Sequence, residues 1–285
     1  MTRLVLALMW LGHFLPARAL AGIGNGVGTA LFWLIPERRR VTRINLEKCF
    51  PGMPSAERER LARAAFRAFC RGFVDRSLLW WASPERLKRL VRVEGIEHLE
   101  AAGPRVVILA PHFAGVEAGG LRMSMDRDLS TLYAHQKSPA LDRTLLKGRT
   151  RFRSNIVSRQ EGLRKALRWI KDGIPFYYLP DLDFGPKGSV FAPFFGVAAA
   201  TARGLPYIAR STGARVVPCV TRMLPGGGYV ARIYPAWDDY PSGDDEADAR
   251  RMNAFIEERV REIPEQYHWL HKRFKTRPEG APRFY

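Results

Sequence analysis

His112 and Glu117, five positions apart, are the residue types that general-base chemistry needs. One ring nitrogen of a histidine takes a proton from a hydroxyl, while a carboxylate on the other nitrogen fixes the tautomer and stabilises the imidazolium. Such help is typically worth ~10²–10⁴ in rate. Five positions within one helix rotate by about 500°, so the two side chains would not share a face there. They can meet if His112 lies in a turn and Glu117 in the first turn of the next helix, whose N-terminus also favours negative charge. A capping or packed His112 is the competing explanation. Arg149 and Arg151 offer guanidinium groups to a phosphate or an anionic headgroup, or are simply solvated charges. Within 178–189, Asp181 and Asp183 alternate as magnesium ligands do, and equally as the acids of a polar turn that bond nearby amides. The stretch 191–196 is aromatic enough to line an apolar channel or to pack a core. No serine or cysteine stands in a nucleophile-elbow setting of the G-x-S-x-G kind.

Bringing His112 and Glu117 together requires a strand, a sharp turn and a helix. Residues 105–110 form an apolar run of strand composition, Pro111 breaks it, and 116–125 reads as a helix. Upstream, Leu61, Ala65, Phe66, Phe69, Phe73 and Leu78 recur at helical spacings, which predicts a helix across 54–81 with Ser55 as its N-cap. Residues 91–93, 129–133, 155–157, 175–179, 215–221 and 229–234 read as strands. Stretches 139–149, 161–171, 201–211 and 244–261 read as helices, the last entered through the acidic run 241–248. Such alternation predicts an α/β fold with a largely parallel central sheet flanked by helices.

The chain has 285 residues, 46% of them hydrophobic, enough for one sizeable core and too apolar for a disordered class. Lys and Arg number 46 against 28 acidic residues, a net +18. That surplus calls for anionic partners: phospholipid headgroups, phosphorylated substrates, acidic proteins or nucleic acid. Cys49, Cys70 and Cys219 fit neither a zinc pattern nor a disulfide framework and read as inert thiols of a reducing compartment. Two apolar runs, 4–15 and 19–35, are followed by Arg38, Arg39, Arg40 and Arg43. A cleavable signal, a short span and an interfacial hairpin compete for this segment. Basic residues placed just after an apolar segment stay cytoplasmic, which favours an uncleaved anchor at 1–36 and a cytoplasmic domain at 37–285. The tail 267–275 interleaves bases with aromatics, as a nucleic-acid stacking platform would. An apolar N-terminus has no use on nucleic acid, and no recognised binding motif is present, so nucleic acid is not an expected partner.

Four stretches in order carry a resemblance: 111–120 with His112 and Glu117, 133–151, 181–201, and the tail 264–278. Together the chain resembles the lipid A lauroyl/myristoyl acyltransferases of Gram-negative bacteria, within the wider glycerolipid acyltransferase fold. The resemblance implies an inner-membrane enzyme on the cytoplasmic face. It would take an acyl chain from acyl carrier protein and place it on the hydroxyl of a 3-hydroxyacyl group of a phosphorylated glucosamine lipid, with no cofactor or metal. It implies His112 and Glu117 as a catalytic dyad and Arg149, Arg151, Asp181, Asp183 and Arg273 as substrate-binding residues. Leu182 stands where the family pattern has a polar residue, and the glycine-rich anchor is short.

Overall fold

Three helices lead the chain: α1 (Thr2–Gly12), α2 (Ala17–Leu34) and α3 (Pro36–Cys49). They belong to a computed structural model that describes residues 2–158 and 162–285. Pro16 precedes α2 and Pro36 opens α3, sites where a missing proline N–H is harmless. The axes of α2 and α3 meet at 95°, and among the described residues no single helix is long and apolar enough to cross a membrane. Instead α2 lies along α4 (Ser55–Val74). Gly24 and Gly28 make this possible, because a Cβ at either would come within 2.5 Å of the Cα of Arg71 or Arg67. Small residues one turn apart let two helix backbones approach. Phe32 then closes the contact edge-on against Phe66, 5.2 Å between centroids.

The expected helix across 54–81 is two helices, broken at Asp75, the second being α5 (Arg76–Trp81). There follow α6 (Pro84–Leu90), β1 (Val91–Glu94), α7 (Ile96–Ala101), β2 (Val106–Leu109), α8 (Val116–Asp126), β3 (Leu129–Tyr133) and α9 (Pro139–Arg149). Next come β4 (Ser154–Ser158), α10 (Arg164–Lys171), β5 (Phe176–Tyr178), β6 (Ser189–Phe194) and β7 (Val197–Ala202). The chain continues through α11 (Gly204–Thr212), β8 (Arg215–Met223), β9 (Tyr229–Ile233) and α12 (Asp245–Glu262). The expected start of the helix at Glu161 lies outside the described residues.

Seven strands form the central sheet in the order β1-β9-β8-β2-β5-β3-β4. Every neighbouring pair is parallel except β8 and β9, so the architecture is the α/β one anticipated. Along β2, Val107 and Leu109 join one core cluster with Phe176, Val216 and Ile256, while Val106 and Ile108 join another with Val217 and Ala231. Both faces of the strand are covered, which is why its sequence is apolar throughout rather than alternating.

A second departure from expectation follows β5. Residues 197–202 are the second strand of a hairpin, and the helix read from 201 begins at Gly204. Phe195 and Gly196 form the turn with φ of 50° and 75°, the two positive values that a two-residue hairpin turn of the primed type demands. Phe195 is held there by its N–H, which donates to Glu257 Oε1 at 2.9 Å.

Candidate active site

β2 and β5 are parallel neighbours with Leu109 opposite Tyr178, the last residue of each strand. His112 lies three residues beyond the first strand end and Asp181 three beyond the second. Equal offsets from a shared register bring the two side by side at the carboxyl ends of the strands, where open α/β sheets carry their sites. His112 Nδ1 donates to Asp181 Oδ1 at 2.7 Å, and the His112 backbone N–H donates to Oδ2 at 2.9 Å. Asp181 is buried. Burial opposes its ionisation, but the adjacent His112 imidazole and its hydrogen bonds prevail, so the carboxyl pKa lies below its ordinary value. An ionised carboxylate only accepts; Nδ1 therefore carries a proton, and Nε2 is the ring nitrogen left to accept one.

Glu117 sits in the first turn of α8, as expected, yet the Nδ1 contact anticipated for it is made by Asp181. Its own oxygens accept from Arg149 Nε at 2.9 Å, from Arg149 Nη2, and from Trp80 Nε1 at 3.1 Å, with Arg76 Nη2 at 3.7 Å. The cause is placement. The β2–β5 register delivers Asp181 to the ring, while α5 and the end of α9 deliver three donors to Glu117. Burial alone would raise the pKa of Glu117, but the Arg149 and Arg76 charges and the hydrogen bonds overcome it and hold it down at about 2. Glu117 is thus a fixed negative charge at any working pH rather than a proton carrier.

Three cavities converge here. His112, Glu117 and Arg149 line one of about 390 Å³ together with Phe69, Phe73 and His268. His112 and Arg149 also line one of about 550 Å³ with Tyr133, Leu163 and Phe184. A smaller one of about 90 Å³ lies against Glu117 and Arg149, walled by Gly120, Leu129 and Ile156.

The structure brings His112, Asp181, Glu117 and Arg149 together, but not the other residues expected to bind substrate. Arg151 donates to the carbonyls of Leu79 at 3.0 Å and Ala82 at 2.7 Å, which closes the C-terminal end of α5 in the way basic side chains often do. Asp183 is buried and accepts from Gly185 N–H at 2.9 Å and from the backbone and hydroxyl of Thr276 at 2.6 and 2.8 Å. It straps the C-terminal tail to the loop after β5. Asp181 and Asp183 serve separate partners, so they do not form the paired magnesium site that their spacing allowed. Arg273, also buried, donates to the Ala200 carbonyl at 2.9 Å and to Thr201 and Asn253 side chains, joining β7 to α12. Of the aromatic stretch, Phe194 is wholly buried and Phe195 packs on Phe50 and Trp269, so core packing accounts for both. Tyr267, Trp269 and Phe274 are likewise buried in the core rather than displayed for stacking.

All three cysteines are buried, and burial raises each thiol, Cys70 to about 11 and Cys219 to about 12. None is an activated nucleophile. Sequence reasoning missed Trp80, Arg76 and His268. The first two carried a usable signal: four positions apart, they share a helix face. His268 carried none, since it reaches the cavity only through the path of the tail.

Residues 1–276 match the family model of the bacterial lipid A biosynthesis acyltransferases. The lipid A biosynthesis lauroyltransferase of Escherichia coli K12 is 33% identical, over 100% of this chain and 94% of its own length. The palmitoleoyltransferase of the same organism is 32% identical over 98% and 92%, and its myristoyltransferase 32% identical over 85% and 76%. A crystal structure of the 1-acyl-sn-glycerophosphate acyltransferase PlsC from Thermotoga maritima gives a TM-score of 0.43 at 18% identity, over 86% of this chain and 98% of that one. The chain is an acyltransferase and belongs to the bacterial lipid A biosynthesis acyltransferase family.

Proposed function

We propose that this enzyme transfers an acyl chain from acyl carrier protein to the hydroxyl of a 3-hydroxyacyl group on a phosphorylated glucosamine lipid, a lipid A precursor. The observation that carries the reading is the His112 imidazole, fixed at Nδ1 by Asp181 and lining two cavities at once. Nε2 takes the proton of the acceptor hydroxyl as its oxygen attacks the thioester carbonyl carbon. The tetrahedral intermediate collapses, the carbon–sulfur bond breaks, and the departing thiolate recovers the proton from the imidazolium. Asp181 stabilises that imidazolium by direct contact. Glu117 holds Arg149 beside His112, where the guanidinium opposes the negative charge growing on the carbonyl oxygen. Two cavities meeting at one base favour a ternary complex, with both substrates bound before the chemistry.

Residues 1–36 serve in this reading as an interfacial anchor on the cytoplasmic face of the inner membrane. Leu4 at 65% and Leu34 at 73% exposure, with Leu8, Leu11, Phe14 and Trp33, present an apolar surface along α1 and α2. Arg3, Arg18, Arg38 and Arg40 flank it in sequence. Apolar area beside basic side chains is the composition of a helix lying on an anionic bilayer.

Mass spectrometry of lipid A from a strain lacking the gene tests the function. Loss of one secondary acyl chain, restored by a plasmid copy, is the expected result. An unchanged lipid A profile overturns the proposal.

A further inference from the structure

A groove of about 360 Å³ opens beside the N-terminal helices. Leu31, Ile35 and Phe66 give it apolar walls and Arg38 stands at its rim. Two of its lining residues, Phe69 and His268, also line the 390 Å³ cavity that holds His112. Their rings stack at 5.1 Å between centroids, and the His268 ring lies 6.2 Å from that of His112. The groove and the catalytic cavity therefore adjoin each other across this stacked pair. The groove's other end meets the outward apolar surface of α2, because Ile35 belongs to both and follows exposed Trp33 and Leu34.

We infer that this groove receives the lipid acceptor: one hydrocarbon chain lies along Leu31, Ile35 and Phe66, a phosphate meets Arg38, and the hydroxyl passes the Phe69–His268 pair to reach His112. The inference rests on the acyl-transfer reading and names which opening each substrate uses. Charge fits the occupant. Arg38 donates to the Leu270 carbonyl at 3.2 Å, which holds its guanidinium at the rim, and Arg39 and Arg40 follow it in the first turns of α3. A guanidinium recognises phosphate well. The His268 ring adds no charge to the passage, since burial pushes its imidazole pKa down to about 3. A carrier-bound acyl chain arrives from water and needs no opening on the membrane-facing helices, so the 550 Å³ cavity that also reaches His112 is left for it.

Leu31→Trp and Arg38→Glu test the assignment in purified enzyme, with acyl carrier protein thioester as donor and a phosphorylated 3-hydroxyacyl glucosamine lipid in mixed micelles as acceptor. Each substitution is expected to raise KM for the lipid by about tenfold, the scale of one blocked apolar site or one lost charge-assisted contact, and to leave KM for the thioester unchanged. Ile35→Trp at an exposed position repeats the blockage if Leu31→Trp folds poorly. The same lipid with a diazirine near the end of one chain is expected to label Leu31 or Phe66. Unchanged lipid KM in the folded variants, or a rise in thioester KM instead, overturns the inference. A parallel His112→Ala enzyme separates the two levels: if that variant still transfers, the reaction reading fails, whereas if it is dead and the groove variants are normal, only the groove assignment fails.

Discussion

A histidine works as a base at one nitrogen only while the other holds its proton, and at His112 a buried carboxylate secures that state. Asp181→Asn keeps the size and one acceptor oxygen but removes the charge that stabilises the imidazolium. It should lower kcat by roughly 10²–10⁴-fold with little change in either KM; a kcat within a few-fold of wild type would remove Asp181 from the mechanism. Glu117 makes a different prediction. Replacing one partner of a buried ion pair costs roughly 3–5 kcal/mol, so Glu117→Gln should be that much less stable near neutral pH. Because the folded pKa of Glu117 is depressed from 4.5 to about 2, its contribution is present above the unfolded value and is lost as pH falls from 4.5 towards 2. Urea denaturation at pH 7 and at pH 3 should therefore show the gap between wild type and Glu117→Gln narrowing with acid, and a constant gap contradicts the charge assignment. Residue types and spacing were enough to nominate His112, Glu117, Arg149 and Asp181. Which carboxylate meets the ring was not legible, because it depends on the β2–β5 register, a tertiary property. Arg151, Asp183 and Arg273 misled for a similar reason: a sequence does not disclose whether a charged group faces a cavity or satisfies buried carbonyls and amides.

Among the elements, the N-terminal hairpin shows how identical residues take opposite roles. Gly24 and Gly28 sit where a Cβ would strike the α4 backbone, whereas nothing lies within 4 Å of a Cβ at Gly22 or Gly26. Gly26→Ala should then raise stability by up to about 1 kcal/mol through helix propensity. Gly28→Ala should lower it by roughly 1–3 kcal/mol through overpacking. Thermal melts of the two variants decide this, and equal shifts would mean that α2 does not pack as described. From the sequence, all these glycines looked alike, as weak points in an apolar helix. The strands and helices around His112 were readable because periodicity and Pro111 mark them. The β6–β7 hairpin was not, since its turn is Phe195-Gly196 rather than an asparagine-glycine pair and Pro193 interrupts the first strand.

Taken whole, the molecule joins a net charge of +18 to an apolar surface concentrated, among the described residues, in its N-terminal helices. On the proposed bilayer, those two features would act through different physics. Coulombic attraction to anionic lipid is screened by salt, with a Debye length near 10 Å at 0.1 M and about 3 Å at 1 M, while apolar insertion is not. Sedimentation with phosphatidylglycerol vesicles should show strong binding at low salt that weakens several-fold, without vanishing, as ionic strength approaches about 1 M. Trp33→Ser with Leu34→Ser should remove most of the salt-resistant remainder. Complete release of the wild-type protein by salt alone would leave the apolar surface without its assigned role. The charge surplus was plain in the composition and pointed to anionic partners, but only the fold shows that the apolar residues are split between a face packed on α4 and a face left outward.

Single-turnover acyl transfer by purified His112→Ala enzyme, from acyl carrier protein thioester to the phosphorylated 3-hydroxyacyl glucosamine lipid, reaches the centre of the account most directly. A folded variant with its rate reduced by at least about 10²-fold is the predicted result. Transfer at close to the wild-type rate would contradict it.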